Sequence, residues 1–210
     1  MTKTADFFDL EDFEHAVLFD DIEHVWESLA RIKSYLGNWN FRIDAQVDSR
    51  SYLVHPELIS IGAGTVVEPG AYIQGPCIIG KNCQMRHGAY IRGDVITGDG
   101  VVIGHTTEVK NALFLNGAHA AHFAYVGDSI LGNKVNLGAG VKCANFRLDQ
   151  RNIQVRFEGK KYTTGLRKLG AILGDGSQIG CNSVTNPGTL LKKRTFFEPC
   201  SVIPLPRQLV

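Results

Sequence analysis

Ile79-Gly80-Lys81-Asn82-Cys83-Gln84-Met85-Arg86-His87-Gly88-Ala89-Tyr90-Ile91-Arg92 is one six-residue phrase written twice and begun a third time. Ile79, Met85 and Ile91 open the units, and a small residue, Cys83 or Ala89, follows four places on. The phrase extends both ways. Ile61, Val67 and Ile73 precede it; Ile103 and Val109 follow, with Thr97 as the exception. Thr65, Ala71, Cys77, Val95, Val101 and Thr107 hold the small position, and Gly62, Gly80, Gly98 and Gly104 directly follow the opening residue. The register slips at Phe114, resumes through Ala120 and Val126, slips again at Leu131 and continues at Leu137. After an insertion at about 143–171 it restarts at Leu173, Ile179, Thr185, Leu191 and Phe197, with Ser177, Ser183, Thr189, Thr195 and Ser201 at the small position.

A fixed short period of this kind marks a solenoid. Each hexad supplies a short strand and a bend, and three hexads close a triangular coil. The aliphatic side chain fills the interior, the small residue fits the corner, and glycine tolerates bends that other residues resist. One coil cannot bury its own face, so coils must stack. The expected fold is all-β: a left-handed parallel β-helix. Cys77 and Cys83 fall at inward corners, which makes them core residues and not a disulfide.

The chain has 210 residues, 44% hydrophobic and 20% charged, which suits one core-forming domain with a small appendage. Its net charge of +1 gives no long-range attraction to nucleic acid or anionic membrane. No apolar run approaches the roughly 20 residues that span a bilayer, and Met1–Leu10 lacks the pattern of a signal peptide. Five cysteines without a C-x-x-C pair fit a reduced, cytoplasmic setting.

Residues 1–50 stand apart as an N-terminal helical segment, before a β-helix at 51–202 and a tail at 203–210. Ile22, Val25, Trp26, Leu29, Ile32 and Leu36 follow helical steps between Asp20 and Leu36, with Gly37 as a C-cap. Phe7–Phe19 reads as a second short helix. The insertion carries Arg147, Arg151, Arg156, Lys160, Lys161, Arg167 and Lys168, and a long polar excursion from a rigid solenoid usually serves function.

Residues 18 apart stack in one column, about 4.8 Å from each other. Arg92 and Lys110 form such a pair. Two stacked cations repel, and a bound phosphate relieves the repulsion; a solvated face with Glu108 or Asp94 as counter-charge is the alternative. His122, amid Ala120, Ala121 and Ala124, has the space and chemistry of a general base, or is an outer-face structural histidine. His119 reads as structural. His87 and His105 fall in one column, but no third metal ligand is evident, so no metal is expected.

Three stretches carry a resemblance: Gly104-His105-Thr106-Thr107-Glu108-Val109-Lys110-Asn111, Ala121-His122-Phe123-Ala124-Tyr125-Val126-Gly127-Asp128 and Lys134-Val135-Asn136-Leu137-Gly138-Ala139-Gly140. They resemble the acetyltransferase domain of the bifunctional enzyme that makes UDP-N-acetylglucosamine, a trimeric left-handed β-helix that acetylates glucosamine-1-phosphate. The similarity runs from about Arg92 to Asn145 and resumes around Lys168–Gly180. It implies His122 as catalytic base. It implies Arg92, Lys110, Glu108, Tyr125, Asn136 and Lys168 as sugar-phosphate contacts. It implies Ala139, Asn145, Phe146 and Cys181 on the acetyl-CoA side, and a homotrimer.

The chain also departs from that pattern. It lacks the nucleotidyltransferase domain, so no uridylyl transfer is expected. Phe146 stands where the family usually has tyrosine, the 143–171 loop is longer, and the C-terminal arm that helps hold CoA is missing or shortened after Val202. The expected function is acetyl transfer from acetyl-CoA to the amine of an amino-sugar phosphate, the amine attacking the thioester while a backbone N–H holds the oxyanion. A γ-carbonic anhydrase-like metalloenzyme and a non-catalytic scaffold or regulatory protein are the alternatives.

Overall fold

The computed structural model describes residues 2–203; the tail expected at 203–210 lies, from 204 on, outside the described residues. The chain winds as a left-handed parallel β-helix with three sheets for walls. The first face runs from Ile59–Ile61 through Cys77–Ile79, Val95–Thr97, Ala112–Phe114, Ile130–Leu131 and Ala171–Leu173 to Thr189–Leu191. The second runs from Val66–Val67 through Val102–His105 and His119–His122 to Phe196–Phe197, and the third from Tyr52–Val54 to Val202–Ile203. Ile43 and Val47 pair in parallel with Ile61 and Val67, so the ladder reaches down into the N-terminal 50 residues.

The hexad registers form the interior. Val67, Met85, Ile103, Ala120, Leu137, Ile179 and Phe197 stack in one column, and Leu53, Ile73, Ile91, Val109, Val126, Cys143, Thr185 and Ile203 in another. Cys77, Cys83 and Cys143 are buried in this core, where loss of water pushes the Cys77 thiol up to about 12; all five cysteines are free. Thr97, the exception in the register, is buried yet satisfied, its hydroxyl accepting the Gly80 N–H at 3.0 Å.

Both register slips fall at one corner, where the third face turns into the first. Thr97 pairs with Phe114 and Phe114 lies level with Leu131, a step of 17, whereas Ile61 and Ile79 are 18 apart. Each shortened corner turns through a residue in the left-handed region, Asn111 at φ 44° and Asp128 at φ 49°. The insertion leaves the next coil at that same corner, between Cys143 and Ala171.

The N-terminal segment packs on the outside of the first face. Ile78, Ile96, Leu113, Ile130 and Ile172 point outward there and are buried under Phe7, Phe8, Phe13, Phe19, Trp26, Leu29 and Ile32. Val155 and Phe157 of the hairpin Gln154–Phe157/Lys160–Thr163 join the same layer. Burying each aliphatic side chain contributes about 1.5–3 kcal/mol. The helix spans Ser28–Gly37 after a 3₁₀ turn at Val25–Glu27; His24, extended and bridged to Thr2, holds the chain out of the helix before that turn. Gly37 is its last residue and Asn38 the cap.

The second helix expected over Phe7–Phe19 does not form. Only Ala16–Phe19 makes a 3₁₀ turn. The backbone carbonyls upstream bond to the solenoid instead: Phe7 O accepts from Asp175 N, Asp9 O from Asn133 Nδ2 and Asp12 O from Asn116 Nδ2, at 2.7–2.9 Å. A segment that satisfies its carbonyls this way needs no internal ladder.

Candidate active site

Four of the residues expected at the site, Arg92, Glu108, Lys110 and Tyr125, lie on strands of the third face. On its strands the residues flanking the core position point out, which places Tyr90 and Arg92, Glu108 and Lys110, and Tyr125 on one surface. The register Ile91↔Val109 sets Lys110 in the column above Arg92. Each cation already has a carboxylate: Arg92 Nη1 lies 2.5 Å from Glu108 Oε1, and Lys110 Nζ lies 3.1 Å from Asp128 Oδ2. Glu108 pushes the Arg92 guanidinium further up from its ordinary value. The charge of the column is therefore balanced within the protein, and repulsion alone does not demand a bound phosphate.

Asp128 organises this edge of the face. It is 6% exposed and accepts from Lys110, from Asn111 Nδ2 at 2.8 Å and from Asn145 Nδ2. Asn145 also donates to the Tyr125 hydroxyl at 3.2 Å. The shortened corners bring these groups together, because removing one residue per turn draws Asn111 and Asp128 in against the strand ends. Gly127 keeps the space open: a Cβ there would meet the Tyr125 hydroxyl at 2.6 Å and Asn145 Nδ2 at 2.7 Å. Asp128 was absent from the residues singled out in the sequence; its signal was the pair of register slips around it.

His122 stands at the opposite edge, where the second face turns into the third. It is exposed, pairs with His105 in the coil below, and is followed by Phe123 at φ 36°. Ala139 and Cys181 continue that corner upward: Gly140 N donates to His122 O and Asn182 N to Ala139 O. The rings of His87 and His105 stack, with centroids 5.7 Å apart, and their Nδ1 atoms face the carbonyls of Pro69 and His87. They lie parallel and do not converge on a common point. His119 points out on the second face beneath Asn136. Partial burial, and then Arg86, pushes its imidazole down from the ordinary value.

Phe146 and Lys168 meet at the neck of the insertion in an antiparallel bridge, with Arg167 over the Phe146 ring at 5.9 Å. Leu169 N donates to Asn145 O at 3.0 Å and closes the neck. The structure thus joins Arg92 with Glu108, and Lys110 with Tyr125 and Asn145 through Asp128. His122, Ala139 and Cys181 form a separate edge, Asn136 sits on the second face, and Phe146 with Lys168 rims the insertion.

A hexapeptide-repeat β-helix with a polar cluster on one outer wall and an open histidine at that wall's edge is the class this geometry defines. Within that class the chain belongs to the family of the GMPPB C-terminal domain, whose model matches residues 73–199. It is 37% identical over 101 residues to a bifunctional sugar-1-phosphate nucleotidylyltransferase/acetyltransferase of Sulfurisphaera tokodaii, covering 48% of this chain and 25% of that protein. It is 37% identical over 145 residues to the putative uncharacterized acetyltransferase YaiX of Escherichia coli K12, covering 69% and 63%. To the bifunctional protein GlmU of Methanococcus maripaludis C7 it is 31% identical over 176 residues, covering 81% and 41%. The chain therefore spans from a quarter to just under two thirds of the length of these relatives.

Proposed function

We propose that this chain transfers an acetyl group from acetyl-CoA to the amine of an amino-sugar phosphate similar to glucosamine-1-phosphate. The observation that carries the reading is the third face itself: Arg92 and Lys110 held at one edge by Glu108 and Asp128, and an exposed His122 at the other. Acetyltransferases among the relatives support the same reaction class.

In this reading Arg92 and Lys110 hold the acceptor's phosphate, with Tyr125 and Asn136 placing the sugar and Lys168 reaching it from the neck of the insertion. The acceptor nitrogen bonds to the thioester carbonyl carbon, the carbon–sulfur bond breaks, and CoA leaves as its thiol. His122 takes the proton from the attacking amine, since a protonated amine has no lone pair to offer. Ala139, Asn145, Phe146 and Cys181 border the donor. The active species is a cytoplasmic homotrimer, in which flat prism faces pack around a three-fold axis.

A panel of hexosamine-1-phosphates incubated with acetyl-CoA, read by release of free thiol, tests the proposal. Turnover on at least one member is expected. Thiol release no faster than background hydrolysis with every member overturns it.

A further inference from the structure

A cleft of about 180 Å³ opens at the N-terminal end of the first face, between the N-terminal segment and the first coils. Trp39, His15, Ser60 and Ile78 wall it, and Glu14, Asn40, Arg42, Asp44 and Lys81, all exposed, rim it. Two groups in the wall carry a hydrogen-bonding valence that the protein does not meet. Ser60 is 7% exposed, and its hydroxyl oxygen accepts from Trp39 Nε1 and from Arg42 N, each at 3.0 Å. A hydroxyl has two lone pairs and one proton, so the lone pairs are used and the proton has no acceptor among the described residues. His15 stands in the same wall with Nδ1 on the Tyr35 hydroxyl, which leaves Nε2 without a partner among the described residues. Buried polar groups are rarely left this way.

We propose that this cleft binds an uncharged pyranose, its C–H face on Trp39 and its hydroxyl edge on Ser60 and His15. The volume admits one six-membered ring, since a cavity of about 150 Å³ takes benzene. Water alone would come to about six molecules at roughly 30 Å³ each, and Trp39 and Ile78 give those along the wall too few of the polar partners each needs. A pyranose covers the apolar wall with carbon and meets the unmatched groups with hydroxyls, which both donate and accept. The rim is balanced, Glu14 and Asp44 against Arg42 and Lys81, and burial keeps the His15 imidazole neutral, pushed down to about 4. Nothing there calls for a charged ligand. Arg42 bonds to Asp44 through Oδ2 alone, from Nε at 2.7 Å and Nη2 at 2.6 Å, so Oδ1 is left to a ligand hydroxyl. Asn40 adds an amide to the same rim. A planar heteroaromatic ring would fill the volume but has no hydroxyl donors for the rim carboxylates. The site lies on the first face and is independent of the acceptor reading above.

Intrinsic tryptophan fluorescence of the full chain, titrated with glucose, galactose, mannose, N-acetylglucosamine and nicotinamide, reads the site. The chain has two tryptophans, and Trp26 is 3% exposed, so a ligand in the cleft meets Trp39. A saturable change is expected with at least one of the sugars. Ser60→Ala should weaken that binding about 2- to 13-fold, the worth of one neutral hydrogen bond. Because Ser60→Ala also strands the Trp39 N–H, Asn40→Phe on the exposed rim is the second variant. It should block binding and leave the melting temperature unchanged. Arg92→Ala, on the third face, should keep the binding. No saturable change with any of the sugars up to about 100 mM overturns the proposal. So does a response that survives in a folded Asn40→Phe variant or disappears in Arg92→Ala, which moves the sugar to another face. Nicotinamide binding in place of every sugar overturns it as well, because the cleft then takes a planar heterocycle.

Discussion

Asp128 sits between Lys110 and Asn145 and bonds to both, although the three residues come from three successive coils. Its carboxylate is the shared acceptor for the cation and for two side-chain amides, those of Asn111 and Asn145. The charge that holds Lys110 also fixes the neck from which the insertion departs.

Asp128→Ala leaves the half-buried Lys110 without its counter-charge and two amides without an acceptor. Each stranded group costs about 1–3 kcal/mol. In a chain of this size, 1 kcal/mol moves the midpoint by roughly 2–4 °C. A fall of several degrees in melting temperature is expected, together with loss of acetyl transfer. Asp128→Asn keeps an acceptor oxygen and should fall less. Unchanged stability in the alanine variant would show that the cluster holds itself without Asp128.

Arg92→Ala and Lys110→Ala should weaken acceptor binding more than acetyl-CoA binding. A hydrogen bond to a charged group contributes about 1.5–3 kcal/mol, so KM for the acceptor should rise roughly 10- to 150-fold. Because each cation is already paired, removing it also frees Glu108 or Asp128 to repel the phosphate. Equal rises in both substrates' KM remove the phosphate assignment.

His122→Ala should lower kcat by about 10²–10⁴-fold, the usual contribution of a general base. Melting temperature should barely change, because the ring is exposed at a corner and outside the prism core. Wild-type kcat with the preferred acceptor would move the base elsewhere, and His119 is the next residue to substitute.

The solenoid was legible because its period is local. Ile79, Met85 and Ile91 declare the inward position within thirteen residues, and most later hexads repeat it. The cover over the first face was not legible. Ile78, Ile96, Leu113, Ile130 and Ile172 lie outside the hexad's core position and look like surplus apolar residues until the N-terminal phenylalanines are seen lying on them. The absent helix at Phe7–Phe19 has the same origin: its partners Asn116, Asn133 and Asp175 are more than 100 residues away. Arg92 and Lys110 were correctly placed in one column. Asp128, which balances Lys110, lies 18 residues beyond it and was within reach of the same count, but the 17-residue step sets Gly127 level with Lys110 and moves Asp128 onto the corner, from which its carboxylate reaches back.

Gly104→Ala should be far more damaging than its chemistry suggests. A Cβ at Gly104 would stand 1.7 Å from the backbone oxygen of Ala121 in the coil above, and backbone cannot rotate aside. The coils would have to part beside His105 and His122. A melting temperature lowered by about 2–12 °C, or insoluble protein where the coils cannot part, is expected, as overpacking costs typically 1–3 kcal/mol and sometimes more. Gly37→Ala is the control: nothing lies within 4 Å of its Cβ, and its effect should stay within about 1 kcal/mol. Similar melting temperatures for the two variants would mean that the coils are not in this register.

His15 links stability to pH. It is 1% exposed, its Nδ1 lies 2.9 Å from the Tyr35 hydroxyl, and Phe13, Tyr35 and Trp39 surround the ring. Burial pushes its imidazole down to about 4 from 6.5, against a smaller upward pull from Asp99. The unfolded chain therefore takes up a proton near pH 6.5 that the folded chain refuses until about pH 4. Between those values the unfolded state binds more protons, so stability falls as pH drops from about 6.5 to about 4; outside the window this residue contributes no slope. The full difference is about 3 kcal/mol. Urea midpoints at pH 7.5 and 4.5 for the wild type and His15→Phe isolate the effect, because the carboxylates that also titrate are common to both chains. The wild type should lose about 2–3 kcal/mol more than the variant. Parallel losses in the two proteins would mean that His15 reaches water in the native state, and that the N-terminal segment does not seal the first coils in solution.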